Sequence, residues 1–190
     1  GEEYGETRPG SSHRWIIDPI DGTKSFISGV PMYGVLIGLE IDGVAEVGVA
    51  HFPGLKEMIS AATGLGCFRD GRRCHVSEQA DLSRAIAAHA NTAFFEECGS
   101  AEAWLRLQRA VYYNAGWCDA YGYARGATGR VELMLDPAMN IWDCAPFLPI
   151  LKEAGGYFGD WEGNEGIALE RSLGTNAALK DQVIRILAGQ

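Results

Sequence analysis

The stretch Trp15-Ile16-Ile17-Asp18-Pro19-Ile20-Asp21-Gly22-Thr23 decides how the chain is read. Its first three residues form a short apolar run of the kind that makes a buried strand, and a Pro/Gly turn follows from Asp18 to Thr23. Lys24 to Ile27 then suits one helical turn, so the string sits at the C-terminal end of a strand. Asp18 and Asp21 flank Pro19-Ile20, which lets two carboxylates converge on one point beside the Ile20 carbonyl. Hard oxygen ligands of this kind suit Mg²⁺ or Mn²⁺. Gly22 permits close backbone approach to a ligand, and Thr23 offers a hydroxyl and N–H groups to a phosphate. Taken alone, such a string is more often an ordinary Asx/Pro turn. The rest of the chain has to decide.

Upstream, Gly5 to His13 is rich in Gly, Ser and charge and reads as a loop. Downstream, Tyr33 to Ile41 and Val44 to Ala50 are β-rich segments joined by Asp42-Gly43, a strong hairpin signal. Met58 to Ala62 and Gly66 to Phe68 continue the meander, with Asp70-Gly71 as a second turn, so the first half reads as an antiparallel sheet. After Asp81, helical patterns alternate with strands. Ala101 to Val111 is amphipathic through Trp104, Leu105, Gln108 and Val111. Val131 to Leu135 and Ser172 to Thr175 are strand candidates, and Ala177 to Leu187 is a closing helix. Trp142-Asp143 is expected to open one apolar helix through Ala154, with Asp143 as its cap, Gly155-Gly156 as its end and Pro149 kinking or loosening its start.

Hydrophobic residues make up 47% of the 190 residues, enough to bury a substantial core. Sixteen basic against 25 acidic residues leave a formal charge of −9, which argues against a nucleic-acid backbone or an anionic membrane as partner. A phosphate substrate would be repelled as well, unless bound cations reverse the sign locally. Cys67, Cys74, Cys98, Cys118 and Cys144 show no C-x-x-C pair or zinc spacing, so they read as reduced thiols in a cytoplasmic setting. No apolar run approaches the roughly 18 residues that span a bilayer, and the acidic start lacks a signal-peptide pattern. The sequence opens without Met and is expected to be a fragment.

Three separated features, namely Gly1-Glu2-Glu3, Trp15 to Thr23 and Trp142-Asp143, together resemble the inositol monophosphatase superfamily. Ala127-Thr128-Gly129, Glu153 to Gly156 and Thr175 to Ala178 extend the resemblance over essentially the whole chain. It implies a single domain over residues 1–190, an α+β, layered αβαβα sandwich of the sugar-phosphatase type. Residues 1–80 would hold an antiparallel sheet with the metal motif, and 81–190 an alternating α/β lobe. A helical segment precedes Gly-Glu-Glu in that superfamily, and nothing here matches it, so the first helical layer is expected to be missing.

The resemblance assigns Glu2, Asp18, Asp21 and Asp143 as metal-ligating carboxylates, with the Ile20 carbonyl, around two or three Mg²⁺ ions or Mn²⁺. Glu2 and Thr23 would orient the attacking water, and Gly22 and Thr23 would contact phosphate. The activity implied is hydrolysis of a small phosphate monoester, sensitive to Li⁺, in a cytoplasmic homodimer. Asp18 to Pro31, Asp119 to Tyr123 and Asp136 to Asp143 look most like the histidinol-phosphate phosphatase branch, although Cys118 stands where that branch has Gly. Inositol-1-phosphate and other sugar or nucleotide phosphates are the alternatives, and a non-catalytic metal- and phosphate-binding fragment is the alternative of another class. Asp136 could pair with the amine of histidinol or accept from inositol hydroxyls. Asp119 stands open between helix N-cap and substrate contact.

Overall fold

The alternating first half produces a six-stranded antiparallel sheet in the computed structural model, which describes residues 10–117 and 119–190. Its strands are β1 (His13–Asp21), β2 (Gly34–Ile41), β3 (Val44–Phe52), β4 (Glu57–Ala62), β5 (Gly66–Arg69) and β6 (Arg72–Arg73), paired in sequence order. Asp42-Gly43 and Asp70-Gly71 close two of the hairpins with both residues of each pair at positive φ. That backbone twist matches the strands it joins. One short helix, α1 (Thr23–Ile27), stands between β1 and β2.

β1 corrects two expectations: the strand is not buried, since only Ile16 of its apolar run faces the core, and it does not stop at Ile17 but runs on to Asp21, the anticipated turn being an irregularity in its pairing with β2 between Asp18 and Asp21. Pro19 has no N–H for the ladder, and the Ile20 N–H is taken by Asp18 Oδ1 at 3.0 Å.

The second sheet contains β7 (Ile86–His89), β8 (Tyr113–Gly116), β9 (Leu133–Asp136), β10 (Gly156–Gly159) and β11 (Ser172–Asn176), ordered β10-β11-β9-β7-β8. β9, β7 and β8 run parallel, and β11 pairs antiparallel with β9 and β10. The helices are α2 (Thr92–Glu97), α3 (Ala101–Ala110), α4 (Asp119–Ala127), α5 (Ile141–Cys144), α6 (Phe147–Glu153) and α7 (Lys180–Ala188). β7, β8 and β10 were not expected from sequence: each is four residues long and rich in Ala or Gly, too short to show a period.

α4 and α6 lie between the sheets, where Tyr123, Phe147, Ile150 and Leu151 pack with Leu36, Phe52 and Ile59 of the first sheet and Met134 and Phe158 of the second. α2, α3 and α7 cover the other face of the second sheet with Phe95, Trp104, Leu107 and Val183. The layers are therefore sheet, helix, sheet, helix among the described residues. On the outward face of the first sheet, Trp15, Ile17 and Met58 are exposed.

The expected single helix from Trp142 to Ala154 is two, α5 and α6, interrupted at Ala145-Pro146. Pro146 and Pro149 explain the break: lacking an N–H, they cannot donate to the carbonyls four residues earlier, at Trp142 and Ala145. The interruption rests on Gly38 and Gly48, which are paired across β2 and β3 and bring no side chain between sheet and helix. Asp143 is not the cap. Asn140 is, and its N–H donates to Asp143 Oδ2 at 2.9 Å. Among the described residues the cysteines are free, with Cys67 and Cys74 in thiol contact at 3.4 Å. No helix there is long and apolar enough to cross a membrane.

Candidate active site

The irregular end of β1 delivers Asp18 and Asp21, both buried, to one end of the first sheet. Asp143 reaches the same place from α5. One carboxylate oxygen from each of the three lies within 4.8 Å of the others, a spacing that one or more cations can bridge. Each carboxylate is held by backbone: Asp21 Oδ2 accepts from the Ala120 N–H in the first turn of α4 at 3.0 Å, Asp18 Oδ1 from Ile20, and Asp143 Oδ2 from Asn140. The bond to Ala120 ties the first half of the chain to the second directly at the cluster.

Gly22 lies in the left-handed region at φ 72°, a conformation that favours glycine. Immediately after it, the Thr23 hydroxyl donates to the Ile20 carbonyl at 3.2 Å. Asp119 is the first residue of α4, and a side chain built at Gly22 would stand 3.8 Å from its Oδ2, so this carboxylate faces the Gly22 turn. Asp136 closes β9, is buried, and accepts from the Ala138 N–H at 3.0 Å. Asp18, Ile20, Asp21, Gly22, Thr23, Asp119, Asp136 and Asp143 all line one cavity of about 190 Å³. Glu2 and Cys118 lie outside the described residues.

This cavity has a severe electrostatic imbalance. Five aspartates line it, with no Lys, Arg or His among the described lining residues. Burial, then the neighbouring Asp119, push Asp21 well above the usual carboxylate range. Burial raises Asp119 as well. Asp136 is pushed up to about 8 by burial, only partly offset by the Ala138 N–H, with Asp119 and Asp143 adding to the rise. Asp143 moves to about 6 for the same first reason, moderated by Asn140. Buried carboxylates this close either bind protons or gather around cations. Clustered, backbone-anchored oxygen donors fit a hard divalent ion.

Sequence reading passed over Asn140, Ala120 and Phe94. Asn140 had a signal, a capping residue three positions ahead of an acidic one. The Ala120 N–H had none, because its bond to Asp21 exists only through tertiary contact. Nor could Phe94-Phe95 disclose which ring faces the core: Phe95 is fully buried, whereas Phe94 is 40% exposed and lines the cavity.

A family model described as the inositol monophosphatase family matches residues 1–189. Among curated proteins, a histidinol-phosphatase from Chlorobaculum parvum is 41% identical over 167 residues, 88% of this chain and 64% of its own length. The histidinol-phosphatase of Mycobacterium tuberculosis is 35% identical over 195 residues, covering 100% of this chain and 75% of its own. This chain thus spans about two thirds to three quarters of the length of these relatives. Among solved structures, an inositol monophosphatase from Anabaena superposes with a TM-score of 0.88 at 30% identity, over 96% of this chain and 74% of that one.

Proposed function

This chain belongs to the inositol monophosphatase family, and from that premise we propose that it hydrolyses a small phosphate monoester with metal-activated water, histidinol phosphate being the favoured substrate. The observation that carries the reading is the convergence of Asp18, Asp21 and Asp143, remote in sequence, within 4.8 Å.

Mg²⁺, or Mn²⁺ in its place, as two or three ions, would neutralise charge on the phosphate oxygens and acidify water when bound. Asp18, Asp21, Asp143 and Glu2, with the Ile20 carbonyl, are the groups proposed to hold them. Gly22 and Thr23 take the phosphate. Because the Thr23 hydroxyl donates to Ile20, its oxygen keeps lone pairs that can accept a hydrogen from water and aim that water at phosphorus. Glu2 would share this orienting role. The leaving alkoxide takes its proton from solvent. Asp119 and Asp136 face the alcohol half of the substrate, where two carboxylates pair better with the amine of histidinol than with a neutral polyol.

Inositol-1-phosphate is the second reading, favoured by the likeness to the Anabaena protein named as an inositol monophosphatase. A cytoplasmic homodimer inhibited by Li⁺ completes the proposal. The test is phosphate release from a panel of monoesters by the native chain carrying this sequence, with and without Mg²⁺. Asp21→Asn should lose metal-dependent turnover while keeping the fold, since the amide oxygen can still accept from Ala120. Turnover that survives this substitution, or a wild type inert towards every ester, refutes the assignment and leaves the non-catalytic binding reading.

A further inference from the structure

We propose that Phe94 sets substrate specificity, its ring forming the wall on which a flat, cationic heteroaromatic ring in the alcohol half of the substrate stacks. The inference rests on the phosphatase reading and adds what that reading leaves open, the shape and charge of the group beyond the phosphate.

Topology places the ring. In the second sheet, β7 lies between β9 and β8, and the three run parallel. β9 ends on Asp136, and β8 leads into Asp119 at the head of α4. The strand between them leads into α2, which carries Phe94. The C-terminal ends of three adjacent strands therefore present carboxylate, aromatic and carboxylate to one cavity, the place where open parallel sheets take ligands.

α2 is pinned so that this presentation persists. Phe95 is fully buried and stacks on Trp104 at 4.9 Å, with Trp161 at 6.1 Å, and the Asn91 side chain accepts from the Ala93 N–H at 3.1 Å. With Phe95 anchored in the core, its predecessor is turned by about 100° around the helix, and Phe94 stands 40% exposed on the cavity wall. A lone exposed Phe on an open surface means little. One on the wall of a cavity with five aspartates and no basic residue among the described lining residues offers a cation a ring face as well as carboxylates. A polyol could lay C–H groups on that face but would bring it no charge. An imidazolium group satisfies both.

The experiment measures kcat and KM for histidinol phosphate and for ethanolamine phosphate, which keeps the amine and lacks the ring, in wild type, Phe94→Leu and Phe94→Trp. Calorimetry with histidinol gives a readout independent of turnover. Phe94→Leu should raise KM for histidinol phosphate about tenfold, the scale of a desolvated cation–ring contact, and weaken histidinol binding to match. The ringless ester should stay within about twofold, and Phe94→Trp should retain wild-type values. An unchanged histidinol phosphate KM, or an equal rise for both esters, overturns the inference while the phosphatase reading stands. So does a wild type that hydrolyses inositol-1-phosphate and ignores histidinol phosphate. If wild type releases phosphate from nothing, the phosphatase reading falls, and this one with it.

Discussion

Gly48→Ala, a single methyl group on the inner face of β3, should disturb the cluster of Asp18, Asp21 and Asp143 without touching one of them. A Cβ at Gly48 would stand 2.8 Å from the Pro146 carbonyl carbon and 3.0 Å from its Cα, closer still to its oxygen, where ordinary contact begins at 3.4 Å. The paired residue, Gly38, has no slack to offer, because a Cβ there would lie 2.7 Å from that of Ala145. The obstacle is backbone, so no rotamer change relieves it. Set by the carbonyl oxygen, the nearest atom, the α5–α6 break must lift by about 1 Å or more, and Asp143 sits on α5 three residues before Pro146. Overpacking typically costs about 1–3 kcal/mol, and a backbone collision belongs at the upper end. For a chain of this size about 3 kcal/mol corresponds to a drop of roughly 6–12 °C in Tm. The assay is thermal unfolding in EDTA and in Mg²⁺. Gly48→Ala should melt lower in EDTA and also gain less from Mg²⁺, because Asp143 no longer meets Asp18 and Asp21. Gly166→Ala is the control, since a Cβ there meets only Leu169 at 3.6 Å. A Gly48→Ala protein that melts within about 2 °C of wild type, with the full Mg²⁺ gain, would refute the argument.

Metal-free stability should depend on pH in the direction opposite to that of salt-bridged carboxylates. Asp143 at about 6 and Asp136 at about 8 stay protonated in the fold above 3.8, where the unfolded chain releases their protons. Stability is therefore greatest below about pH 4 on this account and falls by up to about 1.4 kcal/mol per pH unit for each such proton, the Asp143 share being lost by about pH 6 and the Asp136 share by about pH 8. Urea unfolding in EDTA at pH 5 and pH 8 tests the sign, and saturating Mg²⁺ should reverse it. Tyr123→Phe removes the buried partner of the Ser172 hydroxyl and should cost about 1–2 kcal/mol. Adding Ser172→Ala should recover part of that loss, and additive losses in a double-mutant cycle would count against the pairing.

Much of the first sheet could be read directly because its signals are local. Asp42-Gly43 and Asp70-Gly71 announce hairpins through their own φ preferences, and strands on either side alternate with period two. The second sheet was less legible. Ile86–His89 and Tyr113–Gly116 become strands because neighbours supply ladder partners, not because their four residues carry a pattern. Pro149 signalled a loosened helix start, but where it opens is fixed by packing: the Ala145 carbonyl it deprives lies one turn earlier, over Gly38 and Gly48. Phe94 was invisible because choosing between adjacent phenylalanines requires knowing where the core is.

Sequence by itself determined the chemistry available to this protein: two aspartates around Pro19-Ile20, a glycine and a threonine after them, a third aspartate beside Trp142, and too few cations to balance them. Tertiary structure alone decided that Asp18, Asp21 and Asp143 share a space of 4.8 Å, with Asp119, Asp136 and Phe94 facing the same cavity. Carboxylate identity is a property of a residue. Convergence depends on packing, because burial against α4, α6 and two sheets provides the free energy to hold like charges together.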